Sequence, residues 1–175
     1  MFRILITTVF ISICTFANML QIQEGQLKAH TEVFGDSTID PQTKNIGTSL
    51  TIEDTIESIK GVIFISSVDL ISDNSKRDEH MHEVIGSEKF STISFTINSI
   101  TKENIDYTLH GILSLHGVNN NINIKAKISK ENGTVQINSL FSIKMSDFDI
   151  EPPVMIFLTV RDQVDININL NLKEK

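Results

Sequence analysis

The feature that most constrains this sequence is a regular alternation of apolar and polar residues over several long segments. In Gln163–Lys173 every second residue is apolar, and the residues between are Asp, Asn and Lys. The same period of two runs through Ile105–Gly117, Asn121–Lys130 and Thr134–Ser146, and less regularly through Lys89–Thr101. Because successive side chains of a strand point to opposite faces of a sheet, this pattern predicts antiparallel strands with one dry and one solvated face.

The segments between these strands are short and polar, which predicts a meander. The connections are expected at Lys102–Asn104, Val118–Asn120 and Glu131–Gly133. Asn132 followed by Gly133 favours a tight hairpin, because both residue types tolerate a positive φ. Three upstream segments also have strand character and bring the number of strands to about eight: Gln26–Phe34, Ile46–Ile52 and Ser58–Ile71.

The expected strand length favours a closed barrel. Several strands would contain about 11–13 residues, roughly 36–43 Å at ~3.3 Å per residue. The sequence therefore predicts an all-β fold, an extended antiparallel eight-stranded barrel without exposed edges. Its interior would be aliphatic and aromatic, with the small residues Gly111, Ala126 and Ser139 leaving room for one elongated ligand. The alternative is the same barrel with a simply packed core.

One segment has the features of a short helix. Ser75–Asp78 matches a capping box, Met81, Val84 and Ile85 share one helical face, and Gly86 is a typical end signal. A helix of this length could close one end of the barrel, or it could lie on the sheet as a crossover. Both arrangements are compatible with the pattern.

The N-terminus resembles a secretory signal peptide. A basic start at Met1–Arg3 precedes the uncharged, mostly apolar run Ile4–Phe16, and Thr15 and Ala17 are small residues at the positions that a signal peptidase reads. We expect a signal peptide at 1–17, a single domain at 18–175, and a periplasmic or secreted location without stable membrane insertion after cleavage. The alternatives are an uncleaved anchor, or lipidation at Cys14, for which Ile13 fits poorly.

The charge balance and the residue types exclude several classes of function. Lys and Arg number 15 against 22 Asp and Glu, which disfavours binding to nucleic acid or to an anionic membrane surface. No nucleophile, phosphate-loop or zinc-protease motif is present, and the histidines are not spaced as metal ligands. The sequence therefore predicts no enzyme activity, no catalytic residue, no metal site and no cofactor.

Four segments resemble, in order and at sensible spacing, the signatures of the YceI-like family: Ser72–Met81, Lys89–Phe95, Tyr107–Val118 and Asp147–Asp149. The first resembles the family's Arg-Asp-Glu-His helix, and the third its hairpin. The resemblance implies a lipocalin-like barrel with one short helix, exported to the periplasm, that holds an isoprenoid or similar amphiphile in its lumen. Val84–Gly86 and Ser91 differ from the family pattern, so the identity of the ligand is less constrained than the fold.

We therefore expect a non-catalytic protein that sequesters or transports an isoprenoid, quinone or fatty-acyl molecule. Its apolar tail would be buried along Phe64, Phe95, Leu113, Phe141, Met145 and Phe157. The apolar run Val154–Leu158, within the irregular stretch 147–158, would pack on or in the barrel mouth. Arg161 or Arg77 would contact the polar head group, unless the arginine is simply paired with Asp78 or Asp162 at the surface. The alternative function is a structural or protein-interaction module with a filled core, acting through its acidic outer face or as a homodimer.

Overall fold

A computed structural model of the chain describes residues 17–33, 37–155 and 158–175. All of the expected signal peptide except Ala17 lies outside the described residues, as does Phe157. The described residues form twelve strands, β1 (Asn18–Val33), β2 (Ser37–Ile39), β3 (Gln42–Thr43), β4 (Ile46–Ile52), β5 (Lys60–Ser66), β6 (Thr92–Glu103), β7 (Asp106–Leu115), β8 (Val118–Glu131), β9 (Thr134–Lys144), β10 (Val154–Met155), β11 (Leu158–Thr159) and β12 (Gln163–Glu174).

Eight of these strands form a closed antiparallel barrel. Strands β4 to β9 are paired in chain order, β1 pairs with β4 and with β12, and β12 pairs with β9. The remaining strands are two- or three-residue additions, of which β10 pairs only with β11. The predicted all-β, eight-stranded barrel is confirmed.

The hairpins between the central strands use residues with a positive φ. Asn132 and Gly133, with φ of 51° and 70°, connect β8 to β9 as predicted. His116 and Gly117 make the same kind of turn, with φ of 53° and 76°, between β7 and β8. The prediction of a connection at Val118–Asn120 is therefore wrong, because the turn is made two residues earlier and β8 begins at Val118.

Two of the upstream strands differ in length from the prediction. Strand β1 begins at Asn18 rather than Gln26, and a bulge between Ile22 and Glu24 interrupts its alternation. Strand β5 ends at Ser66, where the chain enters a 3₁₀ turn at Ser67–Asp69. A second 3₁₀ turn, Ile56–Ser58, precedes β5. An alternating pattern in the sequence contains no signal for a bulge or for a one-turn helix.

One α-helix, α1 (Ser75–Val84), connects β5 to β6 at one end of the barrel. Its N-cap is Asn74, whose side chain accepts a hydrogen bond from the Arg77 amide at 3.1 Å. The buried Asp78 accepts two bonds from the Ser72 amide, at 2.9 and 3.0 Å, and one from the Ser72 hydroxyl at 2.7 Å. The predicted capping box at Ser75 is therefore wrong by one residue, and Asp78 binds the segment that precedes the helix.

The barrel interior is packed at one end and open at the other. The end away from α1 is filled by side chains that are almost fully buried, namely Leu20, Leu50, Ile52, Ile59, Ile97, Val135 and Leu172. Toward α1, several inward-facing side chains are only half-buried: Ile93, Phe141, Ile143, Val164 and Ile168. Gly111 leaves no void, since the Phe95 ring takes the space that a Cβ would fill, 2.6 Å away.

Candidate functional site

A cavity of about 650 Å³ lies inside the barrel at the end that α1 covers. Its volume is within the range of ~300–1,000 Å³ that ligand pockets usually have. Inward-facing residues of β1, β5 to β9 and β12 form its walls, and Met81, Val84 and Ile85 of α1 face it from the end. The helix therefore closes one end of the barrel, which decides between the two arrangements that the sequence left open.

The walls of the cavity are apolar even where the sequence has hydroxyl groups. Most of the wall residues are Ile, Leu, Val, Phe or Met. The Thr31 hydroxyl lies 3.0 Å from the carbonyl oxygens of Arg161 and Gln163, and the Ser139 hydroxyl donates to the Lys125 carbonyl at 2.6 Å. Because both hydroxyls are engaged by backbone, they present little polar surface to a ligand.

The mouth of the cavity combines α1 with two irregular segments. The polar residues that α1 and its N-cap contribute are Asn74, Lys76, Arg77 and His80. Ile39 and Pro41 border the cavity from the 37–43 segment, and Ile150 and Pro153 border it from the segment just before the apolar run predicted to pack there. Val154, the first residue of that run, is 67% exposed and does not line the cavity. No Asp or Glu is among the described residues that line the cavity, although the chain as a whole is acidic.

The structure brings together most of the residues predicted to bury an apolar tail. Phe95, Leu113, Phe141 and Met145 all line the cavity. Their role as ligand contacts remains a prediction. Phe157 lies outside the described residues.

Phe64 borders the cavity but does not point into it as expected. Its neighbours Ile63 and Ile65 are buried on the inner face of β5, whereas Phe64 is 41% exposed. Its ring lies over Gly47, its partner on β4. The prediction that Phe64 points into the barrel is therefore wrong, because the inward-facing positions of β5 are shifted by one residue from those expected.

Arg161 is held away from the cavity by an ion pair. Its guanidinium Nη2 lies 3.1 Å from Asp165 Oδ2, so the partner is neither Asp78 nor Asp162. Hydrogen bonds from Ser142 and Gln163, together with the Arg161 charge, lower the pKa of the Asp165 carboxyl. Asp162 instead accepts bonds from the Ser146 hydroxyl and amide, at 2.6 and 2.8 Å, and these lower the pKa of its carboxyl. Arg161 is not among the described residues that line the cavity, and its contact with a head group remains a prediction.

The residues that sequence reasoning missed at the mouth are Lys76 and His80. Lys76, His80 and Val84 are spaced by four residues, as are Arg77, Met81 and Ile85. Extending the apolar face of α1 toward its N-terminus, at the same spacing, would have placed Lys76 and His80 over the cavity.

His110 on β7 and His116 in the turn that follows this strand both have structural partners. His110 lies between the Thr101 hydroxyl, at 2.9 Å, and Asn123 Oδ1, at 2.8 Å. His116 packs edge-on against Phe90 and donates to the Phe148 carbonyl at 3.1 Å. Within the described part of the chain, no three His, Cys, Asp or Glu side chains come together as a metal site. In the same ranges, no helix has the length and apolar character needed to cross a membrane.

Solved structures of similar proteins share this fold. Burkholderia cenocepacia BcnA is 12% identical, with a TM-score of 0.74 over 84% of this chain and 95% of its own. The YCEI protein of Campylobacter jejuni is 20% identical, with a TM-score of 0.68 over 81% and 88%. A domain from Saccharophagus degradans, described as polyisoprenoid-binding and implicated in plant cell wall breakdown, is 12% identical, with a TM-score of 0.69 over 90% and 98%.

At these identities the likeness shows the fold alone. A comparison with curated proteins finds no match. The family model of the YceI-like domain, in contrast, matches residues 20–172, which include α1 and all of the barrel strands except the first two residues of β1 and the last two of β12. This chain therefore belongs to the YceI-like family.

Proposed function

We propose that this protein binds one elongated apolar amphiphile, such as an isoprenoid, in the barrel cavity, and that it sequesters or carries this molecule without catalysis. The observation that carries the proposal is an apolar cavity of about 650 Å³ whose inward hydroxyls are already engaged by backbone. Burial of a ligand tail there would contribute ~25 cal/mol for each Å² of apolar surface removed from water.

Three further points support this function. The Saccharophagus degradans domain of the same fold is described as polyisoprenoid-binding. The apolar residues predicted to bury the tail include four that line the cavity: Phe95, Leu113, Phe141 and Met145. The N-terminal sequence has the order of a secretory signal, so we propose that the protein acts in the periplasm or outside the cell after cleavage behind Ala17. The alternative of a module with a filled interior does not fit the cavity.

The test is to block the cavity from its wall. Ile143 faces the cavity and is half-buried, so Ile143→Trp would fill space that is now empty. The matched control is Leu140→Trp on the same strand, because Leu140 points outward and is 71% exposed. Native mass spectrometry of each protein, purified from the compartment to which it is exported, would count the bound lipid and give the mass of the mature chain.

We expect the wild type and Leu140→Trp to retain a lipid of defined mass, and Ile143→Trp to lose at least ~90% of it while folding normally. Retention of the same lipid by Ile143→Trp would place the ligand elsewhere and contradict the proposal. A wild-type protein that carries no lipid, and that binds no long-chain amphiphile when these are added, would also contradict it.

A further inference from the structure

The distribution of charge around the cavity points to the chemistry of the ligand's head group. We propose, resting on the function above, that the bound amphiphile carries an anionic head group, a carboxylate or a phosphate, which is held at the mouth by Lys76 and Arg77 of α1. A neutral head group, such as that of a quinone or an alcohol, would gain nothing from these two residues.

The first step of the argument is the charge asymmetry of the lining. The whole chain has 22 acidic against 15 basic residues. The described residues that line the cavity nevertheless include a lysine, an arginine and two histidines, His30 and His80, and no carboxylate. The charge of this lining is therefore opposite to that of the chain as a whole. A lining with basic but no acidic side chains favours a negatively charged ligand over a neutral one.

The second step concerns three carboxylates on the segments that border the mouth, each of which has a partner within the protein. Asp78 of α1 is buried and accepts three hydrogen bonds from Ser72. Asp40 is hydrogen-bonded to His30. Glu83 lies 3.5 Å from His80, which is why we assign the head group to Lys76 and Arg77 rather than to His80.

The third step is geometric. Lys76 and Arg77 lie in the first turns of the helix that covers the cavity, and the apolar residues Met81 and Val84 follow them along it. A ligand with its tail between the barrel walls would therefore bring its head past Lys76 and Arg77. Arg77 already interacts within the protein, but a guanidinium has enough N–H donors to hold an additional anion.

The experiment compares probes that differ only in head-group charge. Binding of hexadecanoate and of its methyl ester is measured below their aggregation concentrations, and farnesyl phosphate and farnesol form a second pair. The variant K76Q/R77Q removes both cations. The control K125Q/K127Q makes the same change in charge at two exposed positions of the outer face of β8.

We expect the wild type to bind the anionic member of at least one pair about 3- to 10-fold more tightly than the neutral member, as two exposed ion pairs would allow. K76Q/R77Q should lose this preference while binding the neutral probe as before, and K125Q/K127Q should keep it. Added salt should reduce the preference. The pair that shows it distinguishes a carboxylate from a phosphate.

Equal binding of both members in both pairs would overturn this inference and leave the cavity function intact. A preference that K76Q/R77Q retains would overturn it as well, because another group would then recognise the anion. If no probe binds at all, the proposed function and this inference both fail.

Discussion

His30 joins the outer face of β1 to the 37–43 segment, which borders the cavity mouth. Its Nδ1 is hydrogen-bonded to the Asp40 carboxylate, and its Nε2 lies 3.4 Å from Glu32 Oε1. The Asp40 bond is the main reason that the pKa of His30 is raised above its usual value, and Glu32 adds to it, against a smaller opposing effect of burial. Ile39 and Pro41, on either side of Asp40, line the cavity. The protonation state of His30 therefore affects the stability of the contact that holds one edge of the mouth.

We expect the stability of this contact to depend on pH. Since the pKa is raised in the folded state, the stabilisation is complete below the ordinary histidine pKa of ~6.5 and is lost as the pH rises through the raised pKa. The free energy of unfolding of the wild type, relative to His30→Gln, should therefore fall with rising pH in that window. His110→Gln is the control, because His110 is bonded to neutral partners. Identical pH profiles for wild type and His30→Gln would contradict the assignment.

Single residues were the hardest features to predict from the sequence. The inward residues Phe95, Leu113 and Phe141 follow from alternation on well-formed strands. Phe64 does not, because it lies in an apolar run whose two faces look alike, and parity there depends on the pairing with β4. The ion-pair partner of Arg161 could not be predicted from the sequence either, since several carboxylates are close to it in sequence and only the geometry of β12 selects Asp165.

Among the elements, α1 is held mainly by hydrogen bonds at its ends. Asn74 caps its N-terminus, Asp78 binds Ser72, and His82 Nε2 donates to the Leu70 carbonyl at 2.8 Å. Its remaining support is its apolar face, which packs against the core but is only partly buried because it borders the cavity. An element supported in this way is expected to open more readily than the barrel strands.

We predict that Asp78→Ala loosens α1 without unfolding the barrel. The change leaves the Ser72 amide without its acceptor, at a cost of about 1–3 kcal/mol. Hydrogen exchange of the α1 amides should accelerate by about 10-fold or more, whereas exchange in β7 and β9 should stay the same. Glu79→Ala, at an exposed neighbouring position, should change neither. Acceleration throughout the barrel in Asp78→Ala would show that α1 and the sheet unfold as one unit.

The elements as a group were predictable where a periodic pattern continues without interruption. Strands β7, β8, β9 and β12 follow the alternation of the sequence, and α1 follows its own apolar face. The prediction is less accurate where the backbone departs from a regular form, as at the bulges beside Ile22 and Ile97. At such positions one residue has no partner on the neighbouring strand, and a local sequence pattern carries no information about that pairing.

At the scale of the whole molecule, the barrel divides into a packed end and an open end. The interior could be predicted as apolar, but its division into core and cavity could not, because the same residue types line both halves. The two halves differ in how closely the inward-facing side chains approach one another across the barrel. The 3₁₀ turn Ile56–Ser58 precedes the fully buried Ile59 at the packed end, whereas α1 spans the open end. A ligand tail would therefore enter beside α1 and extend only to the packed half.

This division predicts different effects of truncating two side chains on the inner face of β12. Leu172 is 0% exposed in the packed half, whereas Ile168 is half-buried and lines the cavity. Leu172→Ala should cost about 2–5 kcal/mol in urea unfolding, because the surrounding core cannot close the space. Ile168→Ala should cost about 2 kcal/mol or less, since it removes fewer contacts, and it should shift ligand preference toward bulkier or longer tails. Leu172→Ala should leave that preference unchanged.

Equal losses of stability would mean that the cavity collapses in solution, and a barrel with a collapsed cavity has no room for a tail.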